Sequence, residues 1–397
     1  MSESVSEDET SDSEPQDFVV EDDDRPNNEH NYLDNTDDDF ESETFASPPF
    51  VEPEPGTRLK IPVFLSSTVI LPNQTVPINS LGIEANCIKT ALEDKFPFVG
   101  ILSFTNDTDG EVILRCDTGV LLAITKFTAK PTGFTLVGIA TQRFRLVSEF
   151  NQSLIETGSI FSSILMLPSM EVEILNEHTL QPFYFEPSCA FNRLPERIRK
   201  RYRWSLAGLP IKAIEMSSTD QKIRRLSEWL RLFFPEHRIQ SSFEKGLSFF
   251  SYWTALSIAV NNKRKLELLR IDTVDLRLHV QCQWLSHLKK LICKCGSLKI
   301  DVADLFNFTS ESLGSCFVNE FGHQHDFFTV LRIQNIKAIS NPVSEYSWFE
   351  GYTWTIIACK DCNVHVGWKF RSETKRPSTF YGVLRCLEIP DDVSEDA

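Results

Sequence analysis

The chain reads as a multidomain α+β protein: a disordered acidic tail, a β domain, a helical subdomain and a C-terminal all-β domain. Three observations carry this reading. Charge and hydropathy change sharply near residue 57, and apolar spacing turns from strand-like to helix-like near residue 169. Strand-like runs then return beyond Cys293, together with paired cysteines and clustered tryptophans. The expected divisions are 1–56, 57–168, 169–287 and 288–397.

Residues 1–56 hold 20 Asp and Glu against one basic residue, Arg25. Such a segment buries too little apolar surface to offset the entropy of ordering, which predicts disorder. The net charge of −16 therefore belongs to the tail. The remainder is close to neutral, which argues against a nucleic-acid surface. No run of about 18 uncharged apolar residues occurs, so no membrane span is expected. The start of the chain lacks the basic and apolar regions of a signal peptide. The expected location is the cytoplasm and nucleus, where the 10 cysteines stay reduced and act as core residues, metal ligands or reactive groups.

Short β-branched or aromatic runs at 61–65, 68–72, 98–102, 111–115, 119–125, 134–140 and 143–147 read as strands separated by turn residues such as Asn73, Gly110 and Gly133. One helix is expected over 83–95. In the next region a basic stretch at 193–204 reads as helical. Residues 220–234 place Ile223, Leu226, Leu230 and Phe233 at helical spacing, with Asp220 as N-cap and Pro235 as the stop. Amphipathic segments follow at 243–260 and 274–291, the second with Leu276, Val280, Trp284, Leu288 and Leu291 as its apolar stripe. Beyond Cys293, strands are expected at 327–333, 352–358, 365–370 and 381–385.

The chemistry concentrates in this last region. Cys359 and Cys362 bracket a short turn in which two thiolates can share one metal, and Cys293 and Cys295 supply a second pair. Together they make a candidate four-thiolate structural zinc site. The C-x-C pair has a tighter bite than the usual knuckle, and Cys282, Cys316, His323, His325 and His365 are alternatives for one ligand. Three of the 7 tryptophans, Trp348, Trp354 and Trp368, surround the second pair. Trp354 opens an alternating run with Ile356 and Ala358, while Trp368 and Phe370 lie two apart and share a strand face. The rings read either as core or as three walls of a box for a small, flat, weakly polar group.

Asn319 within 317–323, the run 347–354, the Cys359/Cys362 knuckle and the run 367–370 resemble, in order and spacing, the thalidomide-binding (CULT) domain of the cereblon family. Upstream, 61–64, 70–78 and 138–144 resemble the Lon N-terminal-like β domain that the family also carries. The resemblance covers roughly 57–392. It implies a Lon N-terminal-like β domain, a helical adaptor-binding subdomain and a zinc-stapled β-tent domain, with one structural Zn2+ ion. It also implies a non-catalytic substrate receptor of a cullin-4 RING ubiquitin ligase, docked on the damage-specific DNA-binding adaptor protein through the helical segment. The ligand site would be Trp348, Trp354, Trp368 and Phe370, with Asn319 and Tyr346 at the rim. Its ligands would be cyclic imides, including those on protein substrates. The family usually has histidine where this chain has Tyr346, which implies weaker imide binding. Two rival readings stand beside it: a methionine sulfoxide reductase-like enzyme using Cys386, and a peptide-binding module unconnected to ubiquitination.

Overall fold

The computed structural model describes residues 43–46, 51–81, 88–89, 97–106, 112–130, 133–151, 165–178, 195–198, 218–308, 314–319 and 321–390. The first unit is a sheet of eight strands: β1 (Glu43–Ala46), β2 (Arg58–Ser66), β3 (Thr75–Leu81), β4 (Phe98–Asn106), β5 (Val112–Leu114), β6 (Thr118–Lys130), β7 (Gly133–Leu146) and β8 (Leu165–Ile174). The order β6-β4-β2-β8-β7 closes on itself because β7 also pairs β6, giving a five-stranded ring with β1, β3 and β5 on its margins. Closure makes alternate residues face inward. Ile61, Val63 and Leu65 of β2 fill the ring with Phe98, Leu121 and Phe144. Phe64, between them, points outward into a second core shared with the rest of the molecule.

Several expectations change here. The run 68–72 is not a strand but a buried loop. Its backbone is satisfied by side chains: Thr68 N–H donates to Ser66 Oγ at 3.1 Å and Leu71 N–H to Gln74 Oε1 at 3.3 Å. An apolar run with such local partners needs no ladder. The runs 134–140 and 143–147 merge into the single long β7. β8 carries the sheet to Ile174, past the division expected at 168. Inside the segment expected to be a disordered tail, Glu43–Ala46 pairs with β6; composition does not register a short strand whose pairing comes from another strand's open edge. The helices expected at 83–95 and 193–204 fall largely outside the described residues.

Five helices follow: α1 (Thr219–Leu230), α2 (Glu236–Glu244), α3 (Leu247–Ser257), α4 (Asn262–Leu269) and α5 (Val274–His287). Ser218 rather than Asp220 occupies the N-cap position of α1, without a side-chain capping hydrogen bond, and Pro235 occupies that of α2 rather than ending α1. The segment 243–260 is not continuous, because Gly246 at φ 104° turns the chain between α2 and α3. Of the stripe expected over 274–291, Trp284, Leu288 and Leu291 are buried, but its start is shifted: Leu276 is 47% exposed, while Arg277, Leu278, Gln281 and Cys282 are buried. A buried ionic network explains the shift. Glu177 ion-pairs with Arg143 of β7 at 2.6 Å and with Arg277 at 2.5 Å, and it accepts from the Tyr252 hydroxyl at 3.0 Å. Among the described residues, no helix is long and apolar enough to cross a membrane.

The C-terminal unit is a hairpin of β9 (Lys290–Ile292) and β10 (Lys299–Asp301) beside an antiparallel sheet. The sheet comprises β11 (Gly314–Val318), β12 (Gln324–Val330), β13 (Ile336–Ala338), β14 (Thr353–Cys359), β15 (His365–Arg371) and β16 (Thr379–Leu384), in the order β11-β12-β16-β15-β14-β13. It is joined to the helices through Asp326, which is buried between Lys265 and Arg385. Arg385 also donates to the Leu256, Ile258 and Val260 carbonyls at 2.9 to 3.0 Å. Gln324 reaches the first unit, donating to the Pro77 carbonyl and accepting from Ser66 Oγ.

Candidate functional site

Strand alternation gathers the rings. β15 sends Trp368 and Phe370 to one face, and β14 sets Trp354 opposite Phe370 and Ile356 opposite Trp368. Trp348 arrives from the loop between β13 and β14. Trp348 and Trp368 meet edge to face, with centroids 4.9 Å apart and planes at 84°, an arrangement that ring quadrupoles favour. Backbone acceptors hold two of the rings: Trp348 Nε1–H donates to Val318 O at 3.0 Å, and Trp354 Nε1–H to Glu345 O at 2.8 Å.

The four rings named from sequence do not play one part. Phe370 is fully buried, stacked on Phe380 at 4.9 Å and edge-on to Phe349 at 4.8 Å. It is a floor beneath the tryptophans rather than a wall. Trp354 is half-buried and packs on the margin of the cluster. Its expected alternation with Ile356 and Ala358 breaks, because a register shift between Ile357 and Ala358 turns Ile357, Ala358 and Cys359 all inward.

At the rim, Asn319 works mainly as a loop organiser. Its Oδ1 accepts from the backbone N–H groups of Phe321 at 3.1 Å and His323 at 2.8 Å. Only the amide NH2 of its side chain is left for anything outside the turn. Tyr346 is 58% exposed and has φ 55°, an uncommon backbone conformation for a bulky residue. Next to it, Ser347 Oγ donates to Phe349 O at 3.0 Å.

Sequence reasoning missed His325 as a member of this cluster, having placed it only among alternative metal ligands. Its ring lies 4.8 Å from Trp368 and 5.6 Å from Trp348. The period-2 signal was present, since His325 and Phe327 are two apart on β12 and Phe327 also touches both tryptophans. Burial, with the nearby charges of His323 and His365, pushes His325 down to about 4. The cluster is therefore uncharged at neutral pH. His365 also stands edge-on to Trp368, at 5.0 Å.

The four cysteines named from sequence converge: the sulfurs of Cys293, Cys295, Cys359 and Cys362 all lie within 4.8 Å of one another. Cys293 and Cys362 are 3.4 Å apart, and Cys295 and Cys359 are 3.5 Å apart. A disulfide needs about 2.05 Å, whereas tetrahedral thiolates about 2.3 Å from zinc stand roughly 3.8 Å apart. The donor set and spacing fit a tetrahedral metal ion. Cys359 is pushed up by burial, yet the N–H groups of Cys362 and Asp361 outweigh this and bring it down to about 7. The shortened first pair closes through a tight turn in which Gly296 N–H donates to Cys293 O at 2.7 Å.

No family model matches the chain. Protein cereblon of Danio rerio is 30% identical over 171 residues, covering 42% of this chain and 38% of that protein. The Gallus gallus protein gives the same identity over the same length and 37% of its own chain. Over these segments the chain is similar to the cereblons. Protein cereblon of Drosophila mojavensis is 27% identical over 225 residues, covering 54% of this chain and 32% of that one. The chain thus spans less than two fifths of the length of these cereblon relatives. Among solved structures, the N-terminal domain of Mycobacterium avium complex Lon protease aligns at 17% identity with a TM-score of 0.33, covering 57% of this chain and 98% of that one.

Proposed function

We propose that this cereblon-family chain is a substrate-recognition subunit of a cullin-4 RING ubiquitin ligase, and that its tryptophans bind cyclic imides. The observation that supports this most is the edge-to-face Trp348–Trp368 pair beside Trp354, over an apolar floor and next to four convergent cysteines. A cyclic imide has apolar faces and one N–H between two carbonyls. Indoles bury the faces, and loop backbone near Tyr346 and Trp348 meets the polar edge. An imide edge left unpaired would lose about 1–3 kcal/mol. The histidines beside the rings are neutral, so recognition rests on shape and hydrogen bonds rather than charge.

In this reading one Zn2+ ion is structural and ties the β9–β10 hairpin to the β14–β15 turn through the four thiolates. The helices α1 to α5 dock on the damage-specific DNA-binding adaptor protein. The protein recruits imide-bearing substrates in the cytoplasm and nucleus without performing chemistry itself. The rival enzyme reading needs a reactive Cys386. That thiol lies against the shared core, and burial pushes it up to about 11, which disfavours the nucleophilic thiolate.

Calorimetric titration of the full chain with a glutarimide tests the ligand site. Trp368→Ala should abolish binding, and Trp354→Ala, at the margin, should weaken it at least tenfold. Unchanged affinity in both variants would remove the ring assignment. Failure of the adaptor to co-purify with the full chain from its native host would remove the ligase assignment and leave the ring site standing.

A further inference from the structure

β15 has a second face. Trp368 and Phe370 turn toward the aromatic cluster, so Lys369 and Arg371 must project from the opposite side of the sheet. There they line an open groove of about 510 Å3, with Arg376, Ser378 and Thr379 completing its walls. Glu373 also lines it, so the ionised groups sum to +2. Among the described residues, no carboxylate lies within ion-pairing distance of Lys369, Arg371 or Arg376. The groove is lined almost entirely by polar groups, which makes an apolar ligand a poor match.

The loop that brings Arg376 to this groove is held in place. Ser372 is buried, and its Oγ accepts from the N–H groups of Thr374 at 3.3 Å and Lys375 at 3.1 Å. Ser372 N–H donates to Ser378 O at 2.9 Å, and the Tyr352 hydroxyl donates to Pro377 O at 2.9 Å. A lysine and two arginines are therefore presented to one groove by a strand and by a loop whose backbone is pinned.

We propose that this groove binds a phosphate monoester. Such a group carries about −1.5 to −2 charges at neutral pH, matching the lining. Its oxygens suit the planar forks of Arg371 and Arg376, with Ser378 and Thr379 hydroxyls as further donors. A single carboxylate would leave a cation uncompensated. The volume exceeds that of one phosphate and leaves room for the group that carries it. This chemistry is shared by a phosphorylated serine or threonine on a polypeptide and by a small free phosphate.

The test is calorimetry on the full chain with three probes: inorganic phosphate, a hexapeptide bearing one phosphoserine, and the same hexapeptide unphosphorylated. Phosphate-bearing probes should bind, more weakly as salt rises, and the unphosphorylated peptide should not. The double variant Lys369→Ala/Arg371→Ala should weaken binding at least tenfold, and Arg376→Gln severalfold, with melting temperatures unchanged. Tighter binding of the phosphopeptide than of inorganic phosphate assigns the site to phosphorylated polypeptides; equal or tighter binding of phosphate assigns it to the free ion, and either supports the groove. No binding by either phosphate-bearing probe, or undiminished binding in the double variant, overturns it.

Discussion

Replacing Asp326 by Asn should be among the most damaging single changes in the chain. The carboxylate is 2% exposed and sits between two cations, donated to by Lys265 Nζ and by Arg385 Nε at 2.9 Å. Removing its charge leaves two buried cations without a counter-ion, an uncompensated arrangement that costs about 3–5 kcal/mol. Lys265→Met provides the contrast. It removes the cation that burial already pulls below the ordinary lysine range and leaves a neutral Asp326–Arg385 pair. Arg385 keeps its three carbonyl acceptors, so the loss should be about 1–2 kcal/mol. Urea unfolding of the full chain, followed by tryptophan fluorescence, measures both. A cost below about 1 kcal/mol for Asp326→Asn, or a greater cost for Lys265→Met than for Asp326→Asn, refutes the reasoning. Arg385 and Lys265 also hold Asp326 below the usual carboxylate range despite its burial. Its stabilisation is therefore present above the unfolded carboxylate pKa and lost as pH falls through the lower folded value.

Three further outcomes are expected. Elemental analysis should find one zinc per chain, and strong chelators or Cys359→Ser should lower the melting temperature of the C-terminal unit; stability indifferent to chelation, with no zinc found, would refute the metal site. His325 is held near 4 against an ordinary 6.5, so folded protein resists the proton that unfolded protein accepts. Stability should be complete above pH 6.5 and decline toward pH 4, by at most about 3 kcal/mol, and His325→Gln should flatten that slope in pH-dependent urea melts. Gly367→Ala should destabilise by more than about 3 kcal/mol, because a Cβ there would lie 2.0 Å from Gly382 O with φ at 149°; an unchanged melting temperature would contradict that close approach.

The legible parts of the sequence were those where one local rule decides the outcome. Short β-branched or aromatic runs bounded by turn residues mark β2, β4, β6, β15 and β16, because such side chains suit a pleated, packed surface. The cysteine spacing led to all four convergent thiols. Illegible parts were decided elsewhere. The start of the α5 stripe is illegible because Arg277 and Gln281, polar by type, are buried by partners 100 and 30 residues away in Glu177 and Ser251. β1 is a strand because β6 offers an edge, and the loop at 68–72 is not one because Ser66 and Gln74 satisfy it. His325 was misplaced by residue type: histidine near cysteine suggests a ligand, but its strand parity puts it against tryptophan.

A ligand pocket is useful only if it is held in a fixed relation to the rest of the molecule, and one hydrogen-bonded ladder links the aromatic cluster to the helices here. Trp368 on β15 pairs with Gly382 on β16, and the chain leaves β16 directly into Arg385. That guanidinium grips three carbonyls where α3 ends and approaches α4 through Asp326 and Lys265. Each joint is buried, so water cannot readily substitute for any partner, and truncating one leaves the others unsatisfied rather than relaxed. Opposing domain surfaces held only by apolar contact could slide; a buried charged triad has one register. The aromatic cluster and the helices are thus oriented with respect to each other by the same residues that stabilise them, and the Asp326→Asn variant should lose orientation together with stability.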